Sequence, residues 1–173
     1  LIGLAVFIVA FVIVVLLRPA DFRTTRSAVL SASPAEIFPH VNDLHKFQVW
    51  NPWAKLDPGI SISYDGPNAG VDASSSWIGN ANVGEGRMTI VESKPADLVR
   101  MRLEFFKPFA GVNTATFTFR PDGPRTQVTW EMTGRYSFIP RAVGLFVDMD
   151  KMIGTQFEQG LATLKSLVEG VKK

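Results

Sequence analysis

The chain contains no cysteine and only two histidines among its 173 residues. It therefore cannot form disulfides, use a thiol nucleophile or hold a metal through thiolates. His40 and His45 lie in one segment without an obvious third ligand, so we interpret them as satisfied or exposed side chains rather than metal ligands or bases. The formal net charge is only +2. This low charge argues against a nucleic-acid partner, because such partners require concentrated basic patches.

Polar side chains are absent from residues 1–17. A helix of that length spans roughly 25 Å, slightly less than the roughly 30 Å hydrocarbon core of a bilayer. We predict an uncleaved transmembrane anchor over residues 1–18 and one domain over residues 19–173. A signal peptide would have a shorter apolar core and a cleavage site of small residues, which we do not find before Arg18. A buried core helix is the third possibility.

The start of the domain predicts a strand followed by a short helix. Residues 22–30 are rich in β-prone side chains. Ser33 then has the position of an N-cap, Pro34 that of the first helical residue, and Glu36 completes a capping box. Pro39 lacks the backbone donor for a helical hydrogen bond, so we expect this helix to be short or bent.

A second short helix is predicted directly afterwards. Asn42 and Asp43 can cap its start, and it would run to about Trp50. Pro52 then ends it, and Trp53 follows on the other side of the break. Two large rings thus flank a point where the chain must change direction.

Six further strands are predicted between residues 59 and 134, because β-prone stretches alternate there with turn residues and no helix-length pattern interrupts them. Asp122-Gly123 is a typical hairpin turn. The short links predict an antiparallel meander. The predicted strands are residues 61–64, 72–79, 85–93, 98–106, 113–120 and 126–134.

From Pro140 to about Val168 the apolar residues recur at intervals of three and four, which predicts one long helix. Gly144, Gly154 and Gly160 interrupt it and would permit a close approach to the sheet or a bend. The predicted fold is α+β, a curved antiparallel sheet of about six or seven strands around this C-terminal helix. The apolar positions are Val143, Phe146, Met149, Ile153, Phe157, Leu161, Leu164 and Val168.

Strand alternation predicts that the inner face of the sheet is apolar and rich in methionine and aromatic residues. Such side chains either pack on the long helix or line a pocket of adaptable shape for an apolar guest. A hydrolase or cyclase would need acids, bases or oxyanion donors inside. The only candidates are Glu85, Arg87, Glu104 and Asn113, and alternation points most of them outward. We predict no catalytic residue, no metal site and no cofactor.

The chain resembles the SRPBCC superfamily, which comprises START, polyketide cyclase and birch-pollen-allergen-like proteins with a helix-grip fold. The resemblance covers residues 22–165 and is carried by "FRTTRSAVLSASPAEIFPHVNDLHKFQVWNPW", "GPNAGVDASSSWIGN", "VGEGRMTIVESKP", "VTWEMTG" and "GLFVDMDKMIGTQFEQGLATLK". The chain is most similar to bacterial membrane-anchored members that are described as polyketide-cyclase-like or lipid-transport-like. These stretches indicate a fold rather than an activity, because the superfamily includes carriers, enzymes and chaperone co-activators.

The resemblance implies that the two short helices form a V beneath the long helix and that Trp50 and Trp53 close the apolar space at one end. We expect a single-pass protein of the bacterial inner membrane, and the sequence does not determine on which side of the membrane the domain lies. We expect the domain to bind a hydrophobic or amphiphilic small molecule such as a lipid. The alternatives are a cyclase or hydrolase, and a protein-interaction module with no enclosed cavity. The predicted ligand-binding residues are Trp53, Trp77, Met88, Met101, Phe105, Phe117, Trp130, Met132, Phe146 and Met149.

Overall fold

The computed structural model of the protein describes residues 2–170; Leu1 of the predicted anchor and residues 171–173 of the predicted domain lie outside them. Within that part of the chain, seven strands form one antiparallel sheet in the order β1-β7-β6-β5-β4-β3-β2. The strands are β1 Asp21–Leu30, β2 Ser61–Asp65, β3 Ser74–Ile78, β4 Glu85–Lys94, β5 Leu98–Lys107, β6 Gly111–Asp122 and β7 Arg125–Arg135. The helices are α1 Ile2–Leu17, α2 Pro34–Asn42, α3 Leu44–Trp50, α4 Phe138–Val143 and α5 Met149–Gly170, with a 3-10 turn at Pro52–Lys55.

This arrangement confirms the predicted α+β helix-grip fold. Strands β2 to β7 follow one another as a meander, and β1 joins the sheet at the far edge by pairing with β7. The β6–β7 hairpin turns at Gly123, whose φ of +60° lies in the left-handed region that favours glycine. Helix α5 lies against the inner face of the sheet, where Phe157 stacks on Trp130 with ring centroids 4.1 Å apart. The hydrophobic core therefore occupies the space between sheet and helix.

The two predicted short helices are present with their predicted caps. The Ser33 hydroxyl accepts from the Glu36 backbone N–H, while the Glu36 carboxylate accepts from the Ser33 N–H at 2.6 Å. Asp43 caps α3, since its carboxylate accepts from His45 N at 2.9 Å. Helix α2 has nine residues and runs through Pro39, so it is short as predicted.

The prediction of a transmembrane helix is corrected by the structure. Within residues 2–170, no helix combines the length and the apolar composition that crossing a membrane requires. Helix α1 ends at Leu17 after 16 residues.

The predicted helix over residues 140–168 is also corrected, because it is divided into α4 and α5. Helix α4 ends at Val143, and Asp148 begins α5 by accepting from the Lys151 N–H at 2.9 Å. The apolar spacing of three and four continues across this division, which is why periodicity alone predicted one helix. Phe146 falls in the connection and is 82% exposed.

Two glycines of α5 allow other residues to approach the helix closely, as the sequence predicted for the glycines of this segment. A Cβ atom at Gly160 would lie 2.9 Å from the Trp130 ring. A Cβ atom at Gly154 would lie 2.0 Å from the Arg26 guanidinium. Arg26 crosses the helix there and binds Asp150 at 2.9 Å and Glu158 at 2.8 Å.

The Arg26–Asp150 ion pair predicts a pH-dependent stability. The hydrogen bond from Arg26 holds the pKa of the Asp150 carboxyl below its ordinary value of about 3.9. The pair therefore stabilises the fold above that ordinary value, and its contribution is lost as the pH falls through the lower, folded-state pKa. Because Asp150 is half exposed, we expect Asp150→Asn to lower the free energy of unfolding by less than about 1 kcal/mol at pH 7.

The measurement is denaturant unfolding of both proteins from pH 7 to pH 3. The difference between them should shrink below about pH 4. In an Arg26→Gln background, Asp150→Asn should make a smaller difference, because only the Thr24 hydrogen bond and the N-terminal end of α5 then favour the charged carboxylate. A wild-type advantage that persists unchanged at pH 3 would contradict this account.

Candidate ligand-binding cavity

A cavity of about 400 Å³ lies between the inner face of the sheet and the start of α5. Its walls come from residues of all seven strands, of α3 and the 3-10 turn that follows it, of α4 and of α5. The inner face of these strands is apolar because the side chains alternate, so that Ala115 and Met132 point inward while Thr116 and Glu131 point outward. The cavity is therefore a predominantly apolar space inside a β-sheet and helix framework.

The inner end of the cavity is closed by aromatic rings. Trp53 meets Trp130 edge to face at 5.8 Å and Phe157 at 6.1 Å. Trp130 and Phe157 are stacked with an interplanar angle of 8°. Edge-to-face and offset stacked pairs are favourable arrangements of aromatic rings. These contacts hold the inner end of the cavity in a defined shape.

The two tryptophans that flank Pro52 have different environments. Trp50 is fully buried in the core, and its indole N–H donates to the His40 carbonyl oxygen at 2.9 Å. Trp53 is half-buried and lines the cavity. Asn51 positions it, since the Asn51 side-chain oxygen accepts from the Trp53 N–H at 3.2 Å. The break at Pro52 therefore separates a core residue from a cavity residue.

Seven of the ten predicted ligand-binding residues lie together on the cavity wall, although their binding of a ligand stays a prediction. They are Trp53, Trp77, Met88, Phe105, Trp130, Met132 and Met149.

Three predicted residues do not line this cavity. Met101 and Phe117 are fully buried in the core, where Phe117 packs against Trp130 at 4.8 Å. They share the inward alternation, and their cross-strand partners Ala115 and Trp130 line the cavity, but Met101 and Phe117 are themselves covered by core packing. Phe146 is on the surface because it belongs to the connection between α4 and α5.

The polar candidates for catalysis do not converge. Arg87 binds Asp65 and Ser74, Glu85 accepts from Lys107, and Glu104 pairs with Arg102. Asn113 alone among the four candidates lines the cavity. Among residues 2–170, no group of three or more histidine, aspartate or glutamate side chains is placed to hold a metal ion. His40 and His45 do not line the cavity, and burial lowers the pKa of His40.

The cavity opens where exposed residues join its wall. Phe109, in the β5–β6 hairpin, and Met152, on the first turn of α5, are both substantially exposed. Lys107 and Arg135 are exposed cations on the same rim and pair with Glu85 and Asp21. We call this end the mouth of the cavity. It combines apolar and charged groups, unlike the aromatic inner end.

Trp77 lies on the wall only because Gly86 has no side chain. The two residues are directly paired between β3 and β4, and a Cβ atom at Gly86 would lie 2.4 Å from the Trp77 ring and 2.5 Å from the Glu104 carbonyl oxygen. We expect Gly86→Ala to displace the ring and to lower the free energy of unfolding by about 1–3 kcal/mol, as overpacking does.

Thermal or denaturant unfolding measures this effect, with Gly111→Ala as the matched control. A Cβ atom at Gly111 would have nothing within 4 Å. Equal stability of the two variants would show that Trp77 adapts without cost.

A family model described as polyketide cyclase / dehydrase and lipid transport matches residues 21–169. The chain belongs to this family. The match confirms the resemblance to the SRPBCC superfamily, and it spans the whole sheet and almost all of α5. No curated protein matches the chain.

Solved structures share the fold of this family member at low sequence identity. Protein CV1439 from Chromobacterium violaceum is 20% identical with a TM-score of 0.61, over 88% of this chain and 99% of that one. The Aha1 dimer from Colwellia psychrerythraea is 15% identical with a TM-score of 0.61, over 86% of this chain and 96% of that one. Ara h 8.0201 is 13% identical with a TM-score of 0.60, over 87% and 99%. Identities this low establish the fold alone.

Sequence reasoning missed several wall residues of this polyketide cyclase / dehydrase and lipid transport family member. Phe109 and Met152 lie at the mouth, whereas Phe47 and Phe157 lie on the aromatic side of the cavity. The helical spacing of Phe157 correctly predicted that it lies on the inner face of α5. The spacing did not predict that Phe157 borders the cavity. Phe109 lies in a hairpin, where strand alternation gives no information about direction.

Proposed function

We propose that the protein binds a hydrophobic or amphiphilic small molecule, of the lipid class, inside the cavity without covalent chemistry. The observation that carries this proposal is the cavity of about 400 Å³, which is walled mainly by apolar and aromatic side chains. Burial of an apolar guest in such a space is favourable by about 25 cal/mol for each Å² removed from water. The family description, which includes lipid transport, supports the same class of ligand.

An amphiphilic guest fits the two ends of the cavity. The inner end offers aromatic rings to an acyl or ring system, whereas the mouth offers Lys107 and Arg135 to a polar head. The indole N–H groups of Trp77 and Trp130 have no acceptor among residues 2–170. Buried donors without acceptors are costly, and an ester or carbonyl oxygen of the guest could supply one.

We further propose that the domain works at a membrane, to which α1 attaches it by inserting into lipid. Most side chains of α1 are both apolar and exposed, and only Val15 is buried among its residues. Exposed apolar surface of this extent is a feature of membrane and protein interaction sites. Insertion would place the guest-binding domain beside the source of its ligand.

Photolabelling tests the proposed function with the full chain in lipid vesicles. The vesicles contain a phospholipid with a diazirine in its acyl chain, and irradiation is followed by peptide mass mapping. We expect labelled peptides from β3 to β5 and from the first turns of α5, in addition to α1. Labels confined to α1 would contradict binding in the cavity, and the absence of labels on α1 would contradict its insertion.

A further inference from the structure

A second depression, of about 500 Å³, lies between the end of α1, helix α4 and the α4–α5 connection. We call it the arginine groove, because Arg18 and Arg141 both line it.

In the part of the chain that the structure describes, Arg18 and Arg141 form no ion pair with a carboxylate. The Arg18 guanidinium donates to the Gly144 carbonyl oxygen, which fixes its position but leaves its charge. The buried Nε of Arg141 has no hydrogen-bond partner among residues 2–170. Asp148 is the one carboxylate among the described residues of the groove wall, and its side chain accepts from the Lys151 N–H at the start of α5. The groove therefore has two positive charges against one negative charge.

The surroundings of the arginine groove include the end of an apolar helix and an exposed aromatic ring. Arg18 directly follows the apolar helix α1, which ends at Leu17. Phe146, which is 82% exposed, and Val147 also line the groove. When an apolar helix is in a bilayer, the cationic side chains that follow it lie at the depth of the phosphate groups. Guanidinium groups bind phosphate oxygens in paired hydrogen bonds.

We propose that the arginine groove binds the phosphate of an anionic phospholipid headgroup through Arg18 and Arg141. This inference rests on the proposed insertion of α1 and not on the contents of the cavity. Free phosphate has the same chemistry, but the apolar helix and the exposed Phe146 beside the two arginines favour a phosphate that carries acyl chains.

Headgroup binding would orient the domain. Tyr136, Pro140 and Met149 line both the arginine groove and the cavity, so the groove adjoins the mouth. A headgroup held by the two arginines would keep the mouth of the cavity at the bilayer surface.

Native mass spectrometry of the full chain in a nonionic detergent tests this site. The sample contains equal amounts of phosphatidylglycerol and phosphatidylcholine, and in a separate arm inorganic phosphate. We expect the protein to retain phosphatidylglycerol in preference to phosphatidylcholine. Arg18→Gln and Arg141→Gln should each lower the retention of phosphatidylglycerol about tenfold, because each removes a charge-assisted contact with the phosphate. Arg120→Gln is the matched control, because Arg120 is exposed at the β6–β7 end of the sheet.

The comparison with a cavity-filling variant, Ala115→Phe, separates the groove from the cavity. Persistence of phosphatidylglycerol binding in that variant would support the groove even if the proposed cavity function failed. Loss of this binding in Ala115→Phe would assign the lipid to the cavity and overturn the groove site. The site would also be overturned by equal retention of both lipids, by an equal loss in Arg120→Gln, or by full displacement with inorganic phosphate.

Discussion

Replacing Ala115 with phenylalanine is expected to lower guest labelling of the cavity wall at least tenfold while the domain stays folded. Ala115 lies on β6, points inward and belongs to the cavity wall. Its cross-strand neighbours Met101 and Met132 are adaptable side chains. The added ring therefore extends into the cavity and occupies space that a guest would need. A tenfold loss corresponds to about 1.4 kcal/mol of binding free energy.

The matched control is Thr116→Phe. Thr116 is the next residue on the same strand, and alternation points it to the outer face, opposite Arg100 and Glu131. The readout is diazirine labelling, with α1 as an internal control, because labelling of α1 should be the same in all three proteins. Undiminished labelling of β3 to β5 in Ala115→Phe would show that the guest does not use this cavity.

Replacing Trp50 with alanine is expected to lower the free energy of unfolding by about 3–5 kcal/mol, the usual cost of removing a large buried ring. Trp50 is fully buried and contacts Phe47, Phe117 and Trp130 edge to face. The substitution also leaves the His40 carbonyl without its indole donor. Because α3 connects the core to the turn that carries Trp53, guest binding should decrease as well.

Chemical denaturation of the full chain in nonionic detergent measures this effect. Val49→Ala is the control on the same helix, since Val49 is 68% exposed. We expect that control to remain within about 0.5 kcal/mol of the wild type. A Trp50→Ala protein that is as stable as Val49→Ala would contradict the assignment of Trp50 to the core.

The sequence predicted the strands and the cavity walls well where a strict alternation holds. Met88, Trp130 and Met132 each come directly after an outward polar residue. Because side chains alternate along a strand with a period of two residues, the sequence predicted that these three point inward. The same pattern could not separate Met132, which borders the cavity, from Met101, which is in the packed core. That distinction depends on how closely α2, α3 and α5 approach each part of the sheet, which no single strand encodes.

The helical part was predicted less well, because a periodic pattern does not record where a helix stops. The spacing of apolar residues placed Phe146 and Met149 on one continuous helix, whereas Asp148 caps a new one. Met149 therefore reaches the cavity and Phe146 does not. The role of Gly86 under the Trp77 ring was likewise unpredictable, since it depends on the register between two strands.

Methyl NMR on the methionines tests binding in the cavity most directly. The chain has five methionines. Met88, Met132, Met149 and Met152 line the cavity, whereas the buried Met101 does not and serves as an internal control. With 13C-methyl methionine in the full chain, a phospholipid guest should shift the four cavity methyl signals together and leave Met101 nearly unchanged. A shift confined to the exposed Met152, or no shift on saturation with lipid, would contradict guest binding in the cavity.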